Sequence, residues 1–348
     1  MAAQRTRAMA AGRPVAEVLA WGRDMVTPAL RAAVDTLPGS MRTICGYHFG
    51  WWDAAGRPTA EDGGKALRPT LALLAACAVG GSPAAAVPGA VAVELVHNFS
   101  LLHDDVIDRD VTRRHRPTAW SVFGVNPAIL AGDALLTLAF DVLAASGHPA
   151  AREGVRAVSA VVQELLDGQS SDMAFEQRTD VTLAECVRMI AGKTGALLGG
   201  ACTIGASFGG GTVEQVAGAR RFGERLGLAF QLVDDLLGIW GDPMVTGKSV
   251  HSDLRSRKKS VPVVSALNSG TTAAAELATL YHQEERLSDD ELARVAELVE
   301  MAGGRSWTQL RADELLAEAL RHLATICPQA GAAGELTGLA RLATHRDH

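Results

Sequence analysis

An apolar helical run that stops on carboxylates constrains this chain more than any other stretch. Residues 101–116 read LLHDDVIDRDVTRRHR: Asp104, Asp105 and Asp108 close the run, and Arg113 and Arg114 follow within one or two turns. Helix geometry puts positions i, i+1 and i+4 on one side, so Asp104 and Asp108 stack and Asp105 sits beside them. Hard oxygen ligands grouped this way suit Mg²⁺, which takes one or two carboxylates, keeps some waters and completes its shell with substrate phosphates. Arginine forks suit the same phosphates. A merely solvated helix end fits less well: Leu101 and Leu102 run apolar almost to the first aspartate, and stacked like charges repel.

A second stretch repeats the pattern. Residues 230–242 read FQLVDDLLGIWGD, with Asp234 and Asp235 again following an apolar turn, far enough downstream for a separate helix to face the first. Two aspartate-bearing helices facing across a cavity predict a small ion cluster between them.

The core that surrounds such helices must be built from Ala, Leu and Val. The 348 residues are 48% hydrophobic but only 5% aromatic. That balance favours close-packed helices over a β-sandwich. No linker divides the chain, so one all-α domain is expected over residues 12–348, after a disordered tail at 1–11. The net charge of −6 gives no support to a nucleic-acid partner. No apolar run reaches the ~18 residues that span a bilayer. Residues 71–79 are too few, and 128–145 are interrupted by Asp133 and Asp141. The cysteines (Cys45, Cys77, Cys186, Cys202, Cys327) are odd in number and widely spaced, with neither metal-ligand spacing nor a disulfide framework. They read as reduced core residues of a cytoplasmic protein. The N-terminus, MAAQRTRAMAAGR, lacks the hydrophobic stretch of a signal peptide.

Lysine usage points to particular positions. Arginine supplies nearly every cation, and only Lys65, Lys193, Lys248, Lys258 and Lys259 are lysines. A compact ammonium retained against that bias suits a phosphate site; chance is the alternative.

Apolar periodicity predicts helices over 14–34, 41–52, 84–105, 119–145, 151–175, 183–208 and 212–240, with four or five more beyond 262. Gly63-Gly64 opens another, whose first turn carries Lys65 and Arg68. Two cations there oppose the helix dipole, so an anion is the expected reason for them. His97 lies two turns before Asp104 on the same face, either as a ligand or as a satisfied core histidine. Residues 241–260 are polar and basic, and read as a lid over phosphates or an ordinary surface loop.

Taken in order, the motifs are GGKALRP (63–69), ELVHNFSLLHDDVID (94–108), RR (113–114), GD (132–133), KTG (193–195), FQLVDD (230–235), GD (241–242), GK (247–248) and DLRSRKKSVP (253–262). With this set the chain resembles the trans-isoprenyl diphosphate synthases, the polyprenyl synthetase family, over about residues 20–270. It is most similar to the actinobacterial geranylgeranyl diphosphate synthases. The resemblance implies an all-α fold around a deep central cavity, a homodimer, and head-to-tail condensation of isopentenyl diphosphate with an allylic diphosphate. It implies Mg²⁺ ions on Asp104, Asp105, Asp108 and Asp234, with Asp235 nearby. It implies an allylic diphosphate on Arg113, Lys193, Lys248 and Lys258, with Thr194 and Gln231 close to the reacting carbons. Isopentenyl diphosphate would sit on Lys65, Arg68, His97 and Arg114. One aromatic at Phe99, a small neighbour at Ser100 and no insertion within DDVID imply a twenty-carbon product, geranylgeranyl diphosphate, ahead of farnesyl diphosphate.

One position departs from the family. The second motif usually ends in a third aspartate, and Gly238 stands there; Asp242 is a possible substitute. Two other readings compete. A class I terpene cyclase needs only one diphosphate site and leaves Lys65, Arg68, His97 and Arg114 unexplained. A non-catalytic partner subunit, suggested by Gly238, would not be expected to keep both acidic motifs and both basic clusters.

Overall fold

The Ala/Leu/Val stretches fold as helices and almost nothing else. In the computed structural model, residues 12–59, 64–243, 250–283, 285–326 and 330–344 are described. Lys248, Cys327 and the tail at 1–11 lie outside them. The chain clusters into two compact units, each assembled from separated stretches, which is why no linker marks a boundary in the sequence.

The first unit holds the described residues up to Val162, with Leu197–Arg221 and His322–Leu339. Its helices are α1 (Val15–Asp35), α2 (Gly39–His48), α3 (Leu67–Ala78), α4 (Val87–Ile107), the single turn α5 (Ala119–Phe123), α6 (Val125–Ala145) and part of α7 (Ala151–Glu176). Helix α4 is its axis and packs most extensively along α6. Gly124, at φ +95°, breaks the single helix expected over 119–145 into α5 and α6.

Small residues bring backbones into contact. A Cβ on Gly205 would lie 2.0 Å from the Ala72 carbonyl oxygen, and one on Gly209 would lie 2.8 Å from the Ala76 Cα. Glycine at those two positions, one helical turn apart, is what lets their helix lie against α3.

A β-hairpin follows Asp108, in a stretch for which the sequence predicted no element. Arg109, at φ +57°, ends α4. Strands β1 (Thr112–Arg113) and β2 (Arg116–Pro117) then pair antiparallel, with Arg113 opposite Arg116. The two turn residues, Arg114 and His115, both have positive φ (+52° and +62°), the conformation of a tight hairpin turn whose twist matches its strands. A non-glycine residue there costs about 1–2 kcal/mol. Helix α2 holds the hairpin in return: Tyr47 Oη donates to the Pro117 carbonyl (2.8 Å), and Arg116 donates to the Tyr47 carbonyl (3.0 Å) while lying over its ring.

The second unit holds Gln163–Ala196, Phe222–Arg321 and the described residues from Ala340. It contains the remainder of α7, α8 (Leu183–Ile190), most of α10 (Val213–Trp240) and α11 (Ser252–Arg255) through α15, the last four being Val261–Leu267, Thr272–Tyr281, Asp289–Met301 and Gly304–Ile326. Helix α9 (Ala196–Phe208) falls almost wholly in the first unit, and Ala330–Thr344 closes the chain as α16. Between α8 and α9 the backbone makes one π-helical turn, Ala191–Gly195, where the sequence predicted continuous α-helix. The cause is close packing. A Cβ on Gly168 would lie 2.3 Å from the Lys193 nitrogen, and one on Gly192 would lie 2.6 Å from the Glu164 carbonyl oxygen.

Two helices, Pro83–Ile107 and Val125–Ala145, are long and apolar enough by length and composition to cross a membrane, which corrects the expectation that no run is. Single aspartates at 133 and 141 do not outweigh the Leu and Ala around them. The first is largely buried inside the protein, and its C-terminal turn carries the aspartates.

Candidate active site

In the first unit the one-turn spacing of DDVID works as expected, with one difference in what each aspartate faces. Asp104 is half-buried and Asp108 exposed, both on the last turn of α4, where the Asp108 N–H donates to the Asp104 carbonyl (2.8 Å). Asp105 points the other way. It is 1% exposed, and its Oδ1 accepts from Arg113 Nε at 2.6 Å. Burial pushes its carboxyl up to about 6, the Arg113 guanidinium works against that shift, and Asp110 and Asp108 add to it. Its Oδ2 is buried without a hydrogen-bond partner.

The basic pocket forms from three separated motifs of the same unit. Helix α3 begins at Leu67, so Arg68 lies in its first turn, while Lys65 precedes the helix and is exposed rather than sharing that turn. The reason is local: Gly64 and Ala66 both have positive φ (+116° and +49°), and no side chain caps the helix start. The uncapped N–H groups face whatever anion sits there. Gly64 also lies flat on Arg114: a Cβ there would come within 2.9 Å of the guanidinium carbon.

Arg68 Nη1 lies 3.2 Å from His97 Nε2. A guanidinium has no acceptor, so Nε2 must accept, which fixes His97 as neutral with its proton on Nδ1. Burial, with Arg68, Arg114 and Arg113 around it, holds His97 well below the usual imidazole range. His48, on α2, joins the same electrostatic cluster. Burial and the arginines at 114, 113 and 116 lower it to about 3, Asn98 opposing, and its Nε2 is buried without a partner. His48 was not legible in the sequence, because its neighbourhood, Tyr47-His48-Phe49, reads as ordinary core.

Phe99 is 3% exposed, and its ring meets His103 edge-on at 4.7 Å. His103 is itself fixed: its Nε2 donates to the Ile129 carbonyl (3.0 Å), and Gly132 leaves the room its ring occupies. Ser100 is half-buried and donates back to the His97 carbonyl (2.8 Å). Deeper in this unit Val93, Val96, Val158, Val161, Leu197 and Ile204 border about 180 Å³ of interior space too narrow for water.

In the second unit polar contacts link three motifs, KTG, FQLVDD and DLRSRKKSVP. Lys193, raised on the π turn, pairs with Asp172 (2.6 Å). Thr194 Oγ1 donates to Gln231 Oε1 (2.8 Å), and Gln231 Nε2 donates to Asp235 Oδ1 (2.9 Å). Asp235 is 1% exposed and takes two more partners, Lys258 Nζ at 3.3 Å and the Val261 N–H at 3.0 Å. Asp234, one residue earlier, is half-buried. Burial opposes the charge on Lys258, but Asp235, Asp253, Asp172 and Asp234 outweigh it and raise its pKa above the ordinary lysine value.

The basic stretch after the second motif is tied down around Lys258. Tyr281 Oη donates to the Lys258 carbonyl (2.8 Å), the Lys259 ammonium lies 5.2 Å from the Tyr281 ring centroid, and Arg257 caps the Gln283 and Glu285 carbonyls. Lys259 is therefore a buried brace and Lys258 the working lysine. Asp242, the possible substitute for a carboxylate at 238, is exposed just past the end of α10.

Both acidic motifs thus divide alike: the first aspartate is accessible, and the second is buried and holds a cation in place. Among the described residues no three His, Cys, Asp or Glu side chains converge on one point.

The Polyprenyl synthetase family pattern matches residues 50–299. The chain belongs to the polyprenyl synthetase family. It is 47% identical over 332 residues to the (2E,6E)-farnesyl diphosphate synthase of Mycobacterium tuberculosis, covering 94% of this chain and 92% of the relative. It is 45% identical over 323 residues to the geranylgeranyl diphosphate synthase of the same organism, covering 92% and 91%. Among solved structures it superimposes on a polyprenyl synthetase from Streptomyces coelicolor with a TM-score of 0.90 at 47% identity, covering 94% of this chain and 99% of that one. These matches carry the all-α isoprenoid synthase fold. Near-equal identity to a farnesyl and a geranylgeranyl enzyme means that product length must be argued from side chains.

Proposed function

We propose that this chain, a prenyltransferase of the short-chain polyprenyl diphosphate synthase class, joins isopentenyl diphosphate to an allylic diphosphate and makes geranylgeranyl diphosphate. The observation that supports the reading is the presence of two separate sets of basic side chains. Lys65, Arg68, His97 and Arg114 form one, which we assign to isopentenyl diphosphate. By their place in the family motifs we assign Arg113 of the first unit, and Lys193 and Lys258 of the second, to the allylic diphosphate; each is paired with a carboxylate, Asp105, Asp172 and Asp235. Lys248 would complete it. A cyclase needs only one such set.

Asp104, Asp108 and Asp234 are the accessible carboxylates, and their hard oxygen donors fit Mg²⁺. We read Asp105 and Asp235 as the positioning members of each pair, not as direct ligands. Bound there, Mg²⁺ would supply Lewis-acid stabilisation of the departing pyrophosphate.

The chain's own residues account for the rest. The allylic C–O bond breaks, its electron pair leaves on pyrophosphate, and Lys193, Lys258 and Arg113 stabilise that charge as it develops. Thr194 and Gln231 present oxygens toward the allylic cation. The isopentenyl double bond forms the new carbon–carbon bond, and a proton is lost to the pyrophosphate just released. Apolar walls exclude water from the cation. Phe99, locked by His103, forms the floor that stops growth at twenty carbons. We also read the protein as a cytoplasmic homodimer. The exposed apolar residues Val125 and Leu130 on α6 support the pairing, and the buried thiols Cys45, Cys186 and Cys202, all raised by burial, support a reducing compartment.

The test is whether pyrophosphate release from an allylic diphosphate requires isopentenyl diphosphate. The synthase reading predicts release only with both substrates. Release from the allylic substrate alone, with a cyclised hydrocarbon, would replace it with the cyclase reading.

A further inference from the structure

His48 belongs to none of the motifs and stands just before the residues that the family pattern covers. Helix α2 nevertheless brings it to the stretch of α4 that carries His97 and Asn98. The last turn of α2 is fixed by its neighbours. Tyr47 Oη donates to the Pro117 carbonyl, Arg116 donates to the Tyr47 carbonyl, and the Phe49 ring meets the His48 ring edge-on at 6.1 Å.

Two buried polar atoms lack a partner here, His48 Nε2 and Asn98 Oδ1. Asn98 is 0% exposed, and its amide cannot turn over to change this. Its nitrogen donates to the Glu94 carbonyl (2.8 Å) and to Glu94 Oε1 (2.9 Å), and a backbone carbonyl can only accept. Both amide hydrogens are therefore used, and Oδ1 needs a donor. Arg114, Arg113 and Arg116 act on His48, so a second proton on the ring would add positive charge to positive. The ring is neutral and has one N–H to place. Asn98 acts on it as an acceptor does, by favouring its proton. A proton on Nδ1 would leave both buried atoms as unpaired acceptors. A proton on Nε2 satisfies both at once.

We infer that His48 is a positioning residue of the isopentenyl diphosphate pocket: as the neutral Nε2–H tautomer it donates to Asn98 Oδ1 and ties α2 to the turn of α4 from which His97 reaches Arg68. This rests on the synthase reading above. His48 acts through Asn98 and His97, not on the substrate itself. His97, whose proton is on Nδ1, is then its opposite tautomer.

The experiment compares wild type with His48→Gln, whose amide nitrogen reaches near the Nε2 position, and His48→Asn, whose amide reaches only near Nδ1. Steady-state kinetics with each substrate varied in turn separate KM from kcat. His48→Gln is expected to keep KM for isopentenyl diphosphate within about twofold of wild type, and His48→Asn to raise it about tenfold, the order that an unpaired buried acceptor costs. KM for the allylic substrate and kcat are expected to stay within about twofold in both variants. Nitrogen-15 histidine NMR of the wild-type protein at neutral pH, assigned by the signal lost in His48→Gln, is expected to show Nε2 protonated and Nδ1 bare at residue 48. Two variants that behave alike would overturn the proposal. So would an allylic KM that rises in step, because a merely structural role moves both substrates together. An Nδ1–H or a charged ring at residue 48 would also overturn it, and this decides the matter if His48→Asn does not fold. A wild-type protein that forms no product from isopentenyl diphosphate would overturn the synthase reading and the pocket's assignment. The tautomer still tests the contact with Asn98 in that case, so the two failures are told apart.

Discussion

Replacing Gly168 with alanine tests how Lys193 of KTG is presented. The added Cβ would lie 2.3 Å from the Lys193 nitrogen and 2.9 Å from both the Gly192 carbonyl carbon and the Met189 oxygen. All three are backbone atoms, so no rotamer change relieves the contact. The two segments must separate by about 1 Å to reach ordinary contact, or the π turn must rewind. Overpacking of this kind costs about 1–3 kcal/mol. Alanine's better helix propensity returns about 1 kcal/mol, so a net loss of up to roughly 2 kcal/mol is expected. Lys193 and Asp172 lie on the same two segments, 2.6 Å apart, and move with them. A misplacement near 1 Å costs on the order of 10²-fold in rate. Urea unfolding and steady-state kinetics with the allylic substrate varied would read both effects. The expected result is a lower unfolding midpoint and kcat/KM reduced about 10²-fold. A variant as stable as wild type and equally active would refute the claim that close packing at Gly168 builds the π turn and aims Lys193.

Two further outcomes follow from burial. If Phe99 limits product length as proposed, Phe99→Ala should give products longer than twenty carbons by mass spectrometry; an unchanged product would place the limit elsewhere. His48 is held neutral with its pKa lowered to about 3, so below pH 6.5 the unfolded chain takes up a proton that the folded chain refuses. Stability therefore falls with pH, by about 1.4 kcal/mol per unit for this ring, or roughly 2 kcal/mol between pH 6.5 and 5. His48→Gln should remove that share of the slope in urea titrations at each pH, leaving the share of His97, which is lowered in the same direction. An unaltered slope would show that His48 is not buried as described.

What could be read from the sequence, and what could not, divides by range. Helical periodicity located most helices to within a few residues, because each apolar stripe is a local property. The aspartate spacings were legible for the same reason. The same pattern could not say that Asp105 and Asp235 turn inward, since that depends on Arg113 in a hairpin and on Lys258 and Val261 beyond a loop. The hairpin itself was hidden because its turn uses Arg114 and His115 in a conformation usually given to glycine or asparagine. The π turn was hidden because its cause, Gly168, lies on another helix. Conversely, alternating aspartates made α6 look too polar to pass as a membrane span, although its mean composition is strongly apolar.

The central claim is a condensation that ends at twenty carbons. The most direct measurement incubates the purified protein with isopentenyl diphosphate and farnesyl diphosphate, with Mg²⁺ present or chelated, and sizes the product by mass spectrometry. The account predicts a geranylgeranyl diphosphate that disappears on chelation. No extension of farnesyl diphosphate, with fifteen-carbon product accumulating from shorter starters, would contradict the Phe99 floor; no condensation from any starter would contradict the account as a whole.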